Sequence, residues 1–210
     1  MPRQADHEQR RRQIAGALVR IAAARGVHNA GMREVAAEAG VSVRLIQYYF
    51  GTKEELLRFT MEYLAREFAE RARARFRPAG PDGPSSPPAP SPRAIIDAIL
   101  AEALPTDEDS RVFNIVYSSY AALSLTDPAY AIDTLRHASD VVEDVVAAQL
   151  TRAQQSGQMP AGLDARSEAT GLLAMSAGLG TSVLAGQRSA DAALGVLRYH
   201  LDRLLPVEPG

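Results

Sequence analysis

An all-α fold is predicted by three features of this 210-residue chain. Apolar residues recur at i, i+3, i+4 and i+7 through most of its length. No segment shows the sustained apolar/polar alternation of a half-buried strand. The breaks between periodic stretches carry capping residues and glycines, the punctuation of helices. Asp6, with Gln9 three residues on, reads as a capping box opening a first helix; Ile14, Ala17, Leu18, Ile21 and Ala22 form its stripe and Gly26 stops it. Two short helices follow, Met32 to Ala39 and Ser42 to Phe50, and Thr52-Lys53-Glu54-Glu55 is a second capping box that opens a long helix to about Arg75.

Segment 77–92 contains seven of the 13 prolines, and proline lacks the N–H that helices and strands require, so this is an extended spacer loop. Pro92 suits the first turn of the next helix, which carries Ile95, Ile96, Ile99 and Leu100. Asp107 to Leu125 is a helix bearing Val112, Phe113, Val116, Tyr117 and Tyr120. Asp127-Pro128 opens another that Gly157 closes after Gln155, and Asp164 to Gln187 and Ser189 to Leu205 complete the set. No fixed-period repeat is present, which excludes a solenoid.

Composition removes whole classes of chemistry. The chain has no cysteine, so disulfides, Cys-ligated metals and thiol nucleophiles are excluded, and its four histidines are scattered; neither a metal nor another cofactor is expected. The first residues lack the apolar core of a signal peptide, which points to the cytoplasm. The uncharged run Ala169 to Gly186 is 18 residues long, but eight are Gly, Ser or Thr, so it reads as a buried helix and no membrane association is expected. The net charge of −2 hides an asymmetry: residues 1–77 hold 15 Arg/Lys against 9 Asp/Glu, and the remainder is acidic. A basic module that binds a polyanion, attached to a body that avoids one, accounts for that split.

Residues 32–50 hold the sharpest motif. Gly40 can end one helix in a left-handed conformation, Ser42 can cap the next, and Val35, Ala36, Ala39, Val41, Ile46 and Phe50 are spaced to pack the two into a corner. That is a helix-turn-helix, whose second helix enters the major groove of double-stranded DNA. Val43, Arg44, Gln47 and Tyr48 would then face base edges: Arg suits guanine O6/N7, Gln suits adenine N6/N7, and Val suits a thymine methyl. Tyr49 and Lys53 would face phosphates, and Arg10, Arg11 and Arg12 on the first helix can add contacts that fix register.

The run MREVAAEAGVSVRLIQYYFGTKEELL, with its Tyr-Phe-x-x-Lys-Glu-x-Leu ending, resembles the DNA-binding domain of TetR-family transcriptional regulators over residues ~10–57. The resemblance implies an N-terminal three-helix DNA-binding domain at 1–52 and a helical-bundle ligand-binding and dimerisation domain at 53–210. It carries the family's DNA-contact roles onto Arg33, Val43, Arg44, Gln47, Tyr48, Tyr49 and Lys53; Ser42, the cap of the same helix, is a further DNA-binding candidate. Gly31 stands where the family has a Thr or Ser cap, and Gln47 where it has a Tyr. The resemblance further implies a homodimer through the last two helices, a palindromic operator, and a small-molecule effector that releases it. Ala174, Gly178, Ser182 and Gly186 recur every four residues as a side-chain-poor ridge suited to close helix packing, with Leu197, Leu201 and Leu204 on the final helix. Candidate effector contacts are Phe59, Tyr63, Phe113, Tyr117, Tyr120, Leu172, Met175 and Leu179.

Other readings are weaker. Ala174-Met-Ser176-Ala-Gly178 imitates a hydrolase nucleophile elbow but lacks its first glycine and lies within a helical stretch. Asp133, His137, Asp140 and Asp144 could share a helix face as metal ligands, though without a second histidine. A helical adaptor that recruits partners through the proline segment is the remaining alternative; no enzymatic activity is expected.

Overall fold

A computed structural model of the chain describes residues 2–75, 89–125 and 133–206. Among them are nine helices: α1 Pro2–Arg25, α2 Met32–Ala39, α3 Val43–Phe50, α4 Lys53–Ala74, α5 Pro92–Glu102, α6 Glu108–Ser124, α7 Asp133–Gln155, α8 Ala165–Leu184 and α9 Ala190–Leu204. No strand occurs among the described residues, in accord with the predicted class. The start expected at Asp127-Pro128 and most of the 77–92 segment fall outside the described residues.

Local capping chemistry places most boundaries. Ser42, Ser91, Asp164 and Ser189 each accept a hydrogen bond from the backbone N–H three residues on, opening α3, α5, α8 and α9. Two boundaries depart from expectation. α1 begins at Pro2, not Asp6, because proline is well suited to a first turn and nothing before Asp6 breaks the helix; Asp6 is an exposed interior residue. α8 ends at Leu184, with Gly186 at φ 70 and Gln187 N–H donating to the Ser182 carbonyl at 2.9 Å, so Gly186 stops the helix and does not extend its ridge. A 3-10 turn at Val27–Asn29, which periodicity alone does not reveal, joins α1 to α2.

The chain forms two compact units. One comprises Met1–Glu67 and Val112–Ala138, the other Phe68–Arg111 and Ser139–Gly210. In the first, Ile14, Leu18, Val35, Ile46, Leu56 and Leu57 make a core that also takes in Val116 and Tyr120 from α6. In the second, α5, α8 and α9 pack together around Ile96, Leu100, Leu197 and Leu201. Glu102 is 1% exposed there and receives both Arg71 and Arg75, the latter at 3.1 Å; such a carboxylate is tolerated only because it is paired. Asp97 and Arg198 tie α5 to α9 through two hydrogen bonds of 2.8 and 3.0 Å.

Replacing Ser42 by Ala removes the α3 cap, whose Oγ lies 3.1 Å from Leu45 N. The expected loss is ~1 kcal/mol of stability, seen as a lower urea midpoint at unchanged m-value.

Candidate nucleic-acid interface

The corner between α2 and α3 is built by a glycine. Gly40 has φ 66, and with it Val41 N–H reaches the Ala36 carbonyl at 2.9 Å and Gly40 N–H the Ala37 carbonyl at 3.2 Å, the paired closure of a helix that turns sharply. Val41 packs against the core and Ser42 starts α3 at once. α1 braces the corner: Gln13 Nε2 donates to the Ala39 carbonyl at 3.0 Å and Arg20 pairs with Glu38 at 2.7 Å.

α3 is divided cleanly by face. Ile46 is fully buried and Phe50 nearly so, while Arg44, Gln47 and Tyr48 lie exposed on the opposite side, Tyr48 at 75%. These three sit at i, i+3 and i+4, and so share one helix surface. Tyr48 stands three-quarters in water, and Arg44 has no carboxylate partner among the described residues. Val43 and Tyr49 are half-buried against the core, Ser42 spends its hydroxyl on the cap, and Arg33 is exposed at the start of α2.

At the other end, Thr52 Oγ1 accepts from Glu55 N at 3.2 Å and Lys53 is the first residue of α4. Glu55 would oppose a phosphate there, but Arg58 binds it at 2.6 Å; that hydrogen bond and charge hold the Glu55 carboxyl below the usual range and neutralise it locally. Gly31 precedes α2 in extended conformation with no side-chain cap, and a Cβ there would meet only the flexible end of the Glu34 side chain, which can move aside. The three arginines of α1 separate in role. Arg10 donates to Gln13 at 2.7 Å and Arg12 pairs with Glu8 at 3.6 Å, whereas Arg11 lies over the Phe59 and Phe50 rings at 4.1 and 5.0 Å. His7 on α1, which sequence reasoning passed over, packs on Tyr49 with ring centroids 4.6 Å apart.

An exposed basic and amide-bearing helix face, set on a buried three-helix core, has the docking geometry of a major-groove reader. Residues 14–58 match the sequence profile described as bacterial regulatory proteins of the tetR family, and residues 92–206 match the profile of the BetI-type transcriptional repressor C-terminal domain. The chain belongs to the TetR family of transcriptional regulators. It is similar to the regulator BetI of Burkholderia thailandensis, 28% identical over 98% of each chain. It is also 44% identical to PksA of Bacillus subtilis over 71 residues, spanning 34% of this chain and 35% of that one. A transcriptional regulator from Saccharomonospora viridis, solved in complex with choline, superposes with a TM-score of 0.79 at 25% identity over 95% of this chain and 100% of that one. TetR proteins are DNA-binding regulators and not enzymes.

Within this TetR-family chain, Ser176 is buried mid-way along α8, far from any strand-to-helix turn. Asp144 is taken by Arg166 at 2.5 Å, the side chains of Asp133 and His137 lie outside the described residues, and no metal-binding group occurs among the described residues. No helix among the described residues is long and apolar enough to cross a membrane. Of the effector candidates, Phe59, Tyr63, Phe113, Tyr117 and Tyr120 belong to the first unit's core, with Phe113 and Tyr117 stacked at 5.7 Å. Leu172 and Leu179 are buried on α8 and Met175 is half-buried there. Ala174 and Gly178 are exposed, Ser182 and Leu204 half-buried, and Leu197 and Leu201 are fully enclosed in the core of their own chain.

Proposed function

We propose that this regulator reads a palindromic operator as a homodimer and releases it when a small organic effector binds. One observation carries the reading: Arg44, Gln47 and Tyr48 share the exposed face of a helix whose other face is locked into the core. Arg44 and Gln47 supply base recognition and Val43 the thymine-methyl contact; Arg33, Ser42, Tyr48, Tyr49 and Lys53 complete the interface. Two recognition helices about 34–36 Å apart would engage successive major grooves. The surface for a second copy is the ridge Ala174, Gly178 and Ser182 on α8 with Leu204 on α9, while Leu197 and Leu201 support it from beneath.

The effector acts through α4, the helix that runs on from the DNA-binding corner. A ~100-fold preference for the non-binding state would supply ~2.7 kcal/mol per dimer. Within the first unit, the aromatic set Phe59, Tyr63, Phe113, Tyr117 and Tyr120 favours a largely apolar ligand, and aromatic faces also attract organic cations. Choline is the first compound to test, by analogy with the Saccharomonospora regulator. Selecting bound duplexes from a random-sequence DNA pool tests the main reading; recovery of a two-fold symmetric sequence is the expected result, and no enrichment would sink it. Lys53→Ala is expected to weaken binding to that duplex and to unrelated ones alike and to reduce the salt slope by about 0.9 per protomer, about 1.8 for the dimer, because it removes one phosphate neutralisation from each half-site.

A further inference from the structure

The match to the family's DNA-binding profile begins at residue 14, yet α1 begins at Pro2. This leading stretch, about three helical turns, is fastened to the recognition helix by two side chains one turn apart. Arg11 stacks over Phe50 at the end of α3 and over Phe59 on α4, with its Nε buried and lacking any hydrogen-bond partner among the described residues. A guanidinium held over two rings from neighbouring helices works as a brace. One turn earlier, the His7 ring packs on the Tyr49 ring at 4.6 Å and a 59° tilt, and Tyr49 meets Tyr48 edge-on at 5.3 Å. The row His7–Tyr49–Tyr48 therefore runs from α1 onto the exposed surface of α3.

An unrestrained tyrosine must lose rotamer freedom when its hydroxyl engages a phosphate, and that loss subtracts from affinity. A ring already clamped has lost it beforehand. We propose that His7 is a positioning residue for DNA binding: by packing on Tyr49 it presents the tyrosine hydroxyl to the DNA backbone. This rests on the reading of Tyr49 as a phosphate contact. It assigns a function to a segment that lies outside the family's matched stretch.

The test uses the full-length chain and a duplex recovered from a random pool by the wild-type protein, with affinities measured at pH 8 and fixed salt. His7→Ala and Tyr49→Phe are each expected to bind roughly tenfold more weakly, the scale of one hydrogen bond to a charged group. The double variant should bind no worse than either single one, and His7→Phe, which keeps a flat ring, should stay within about twofold of wild type. All four should keep the wild-type salt slope, since no phosphate-neutralising cation is removed. A His7→Ala protein that binds like wild type overturns the proposal, as do losses that multiply in the double variant or a failed rescue by phenylalanine. A wild-type chain that enriches no duplex removes the DNA-reading itself, a different failure.

Discussion

Arg44→Ala is expected to cost ~1–3 kcal/mol of operator affinity for each half-site and to erase the preference at a single base pair within it. The size follows from the environment. Arg44 is exposed on α3, without a carboxylate partner among the described residues, and its neighbours one turn on, Gln47 and Tyr48, are exposed as well. No carboxylate among the described residues pairs with it, so its guanidinium fork can be offered to guanine O6 and N7. The backbone beneath does not move, because Ile46 and Phe50 hold α3 from the opposite face. The measurement is competition between the selected duplex and its single-base variants. A mutant with the wild-type preference at every position would show that α3 is docked differently.

Gly178→Arg is expected to give a folded monomer that binds the operator at least about a hundredfold more weakly. Gly178 is exposed on α8, and a Cβ built there meets nothing within 4 Å, so the single chain has room for the side chain. Helix propensity improves on leaving glycine, by up to ~1 kcal/mol. A second helix packed at 8–10 Å against the ridge would have no such room. Linked half-site readers gain about 10²–10⁴ from their mutual tethering, and a monomer forfeits that gain. Sedimentation gives the mass, circular dichroism the helix content, and titration the affinity. A variant that stays dimeric with wild-type affinity would move the subunit contact off α8.

Much of the DNA-binding corner was legible because its signals are local. Gly40 and Ser42 lie two residues apart and act on adjacent backbone groups, so residue type alone specified the turn, the cap and which face of α3 points outward. Gln47 and Arg44 could be singled out for the same reason. His7 could not: its partner Tyr49 is 42 positions away, and an exposed histidine on a basic helix carries no sequence signal of a ring contact. One weak hint existed, since His7, Arg11, Ile14 and Leu18 fall at helical spacing on one face.

The second unit shows the complementary limit. Leu197, Leu201 and Leu204 all read as a stripe on α9, yet the first two are sealed within their own subunit and the third is only half-buried. Periodicity reports that a face is apolar; it does not report which neighbour covers it. The same holds for Val116 and Tyr120, which periodicity placed on a helix of the regulatory region and which pack into the core around α1 and α3. By itself, the order of residues determined helical class, caps, the turn and the chemistry of the recognition face, all properties of contacts within a few positions. Only the tertiary structure decided which stripes were interior and which ring braces Tyr49, because those depend on surfaces brought together from distant parts of the chain.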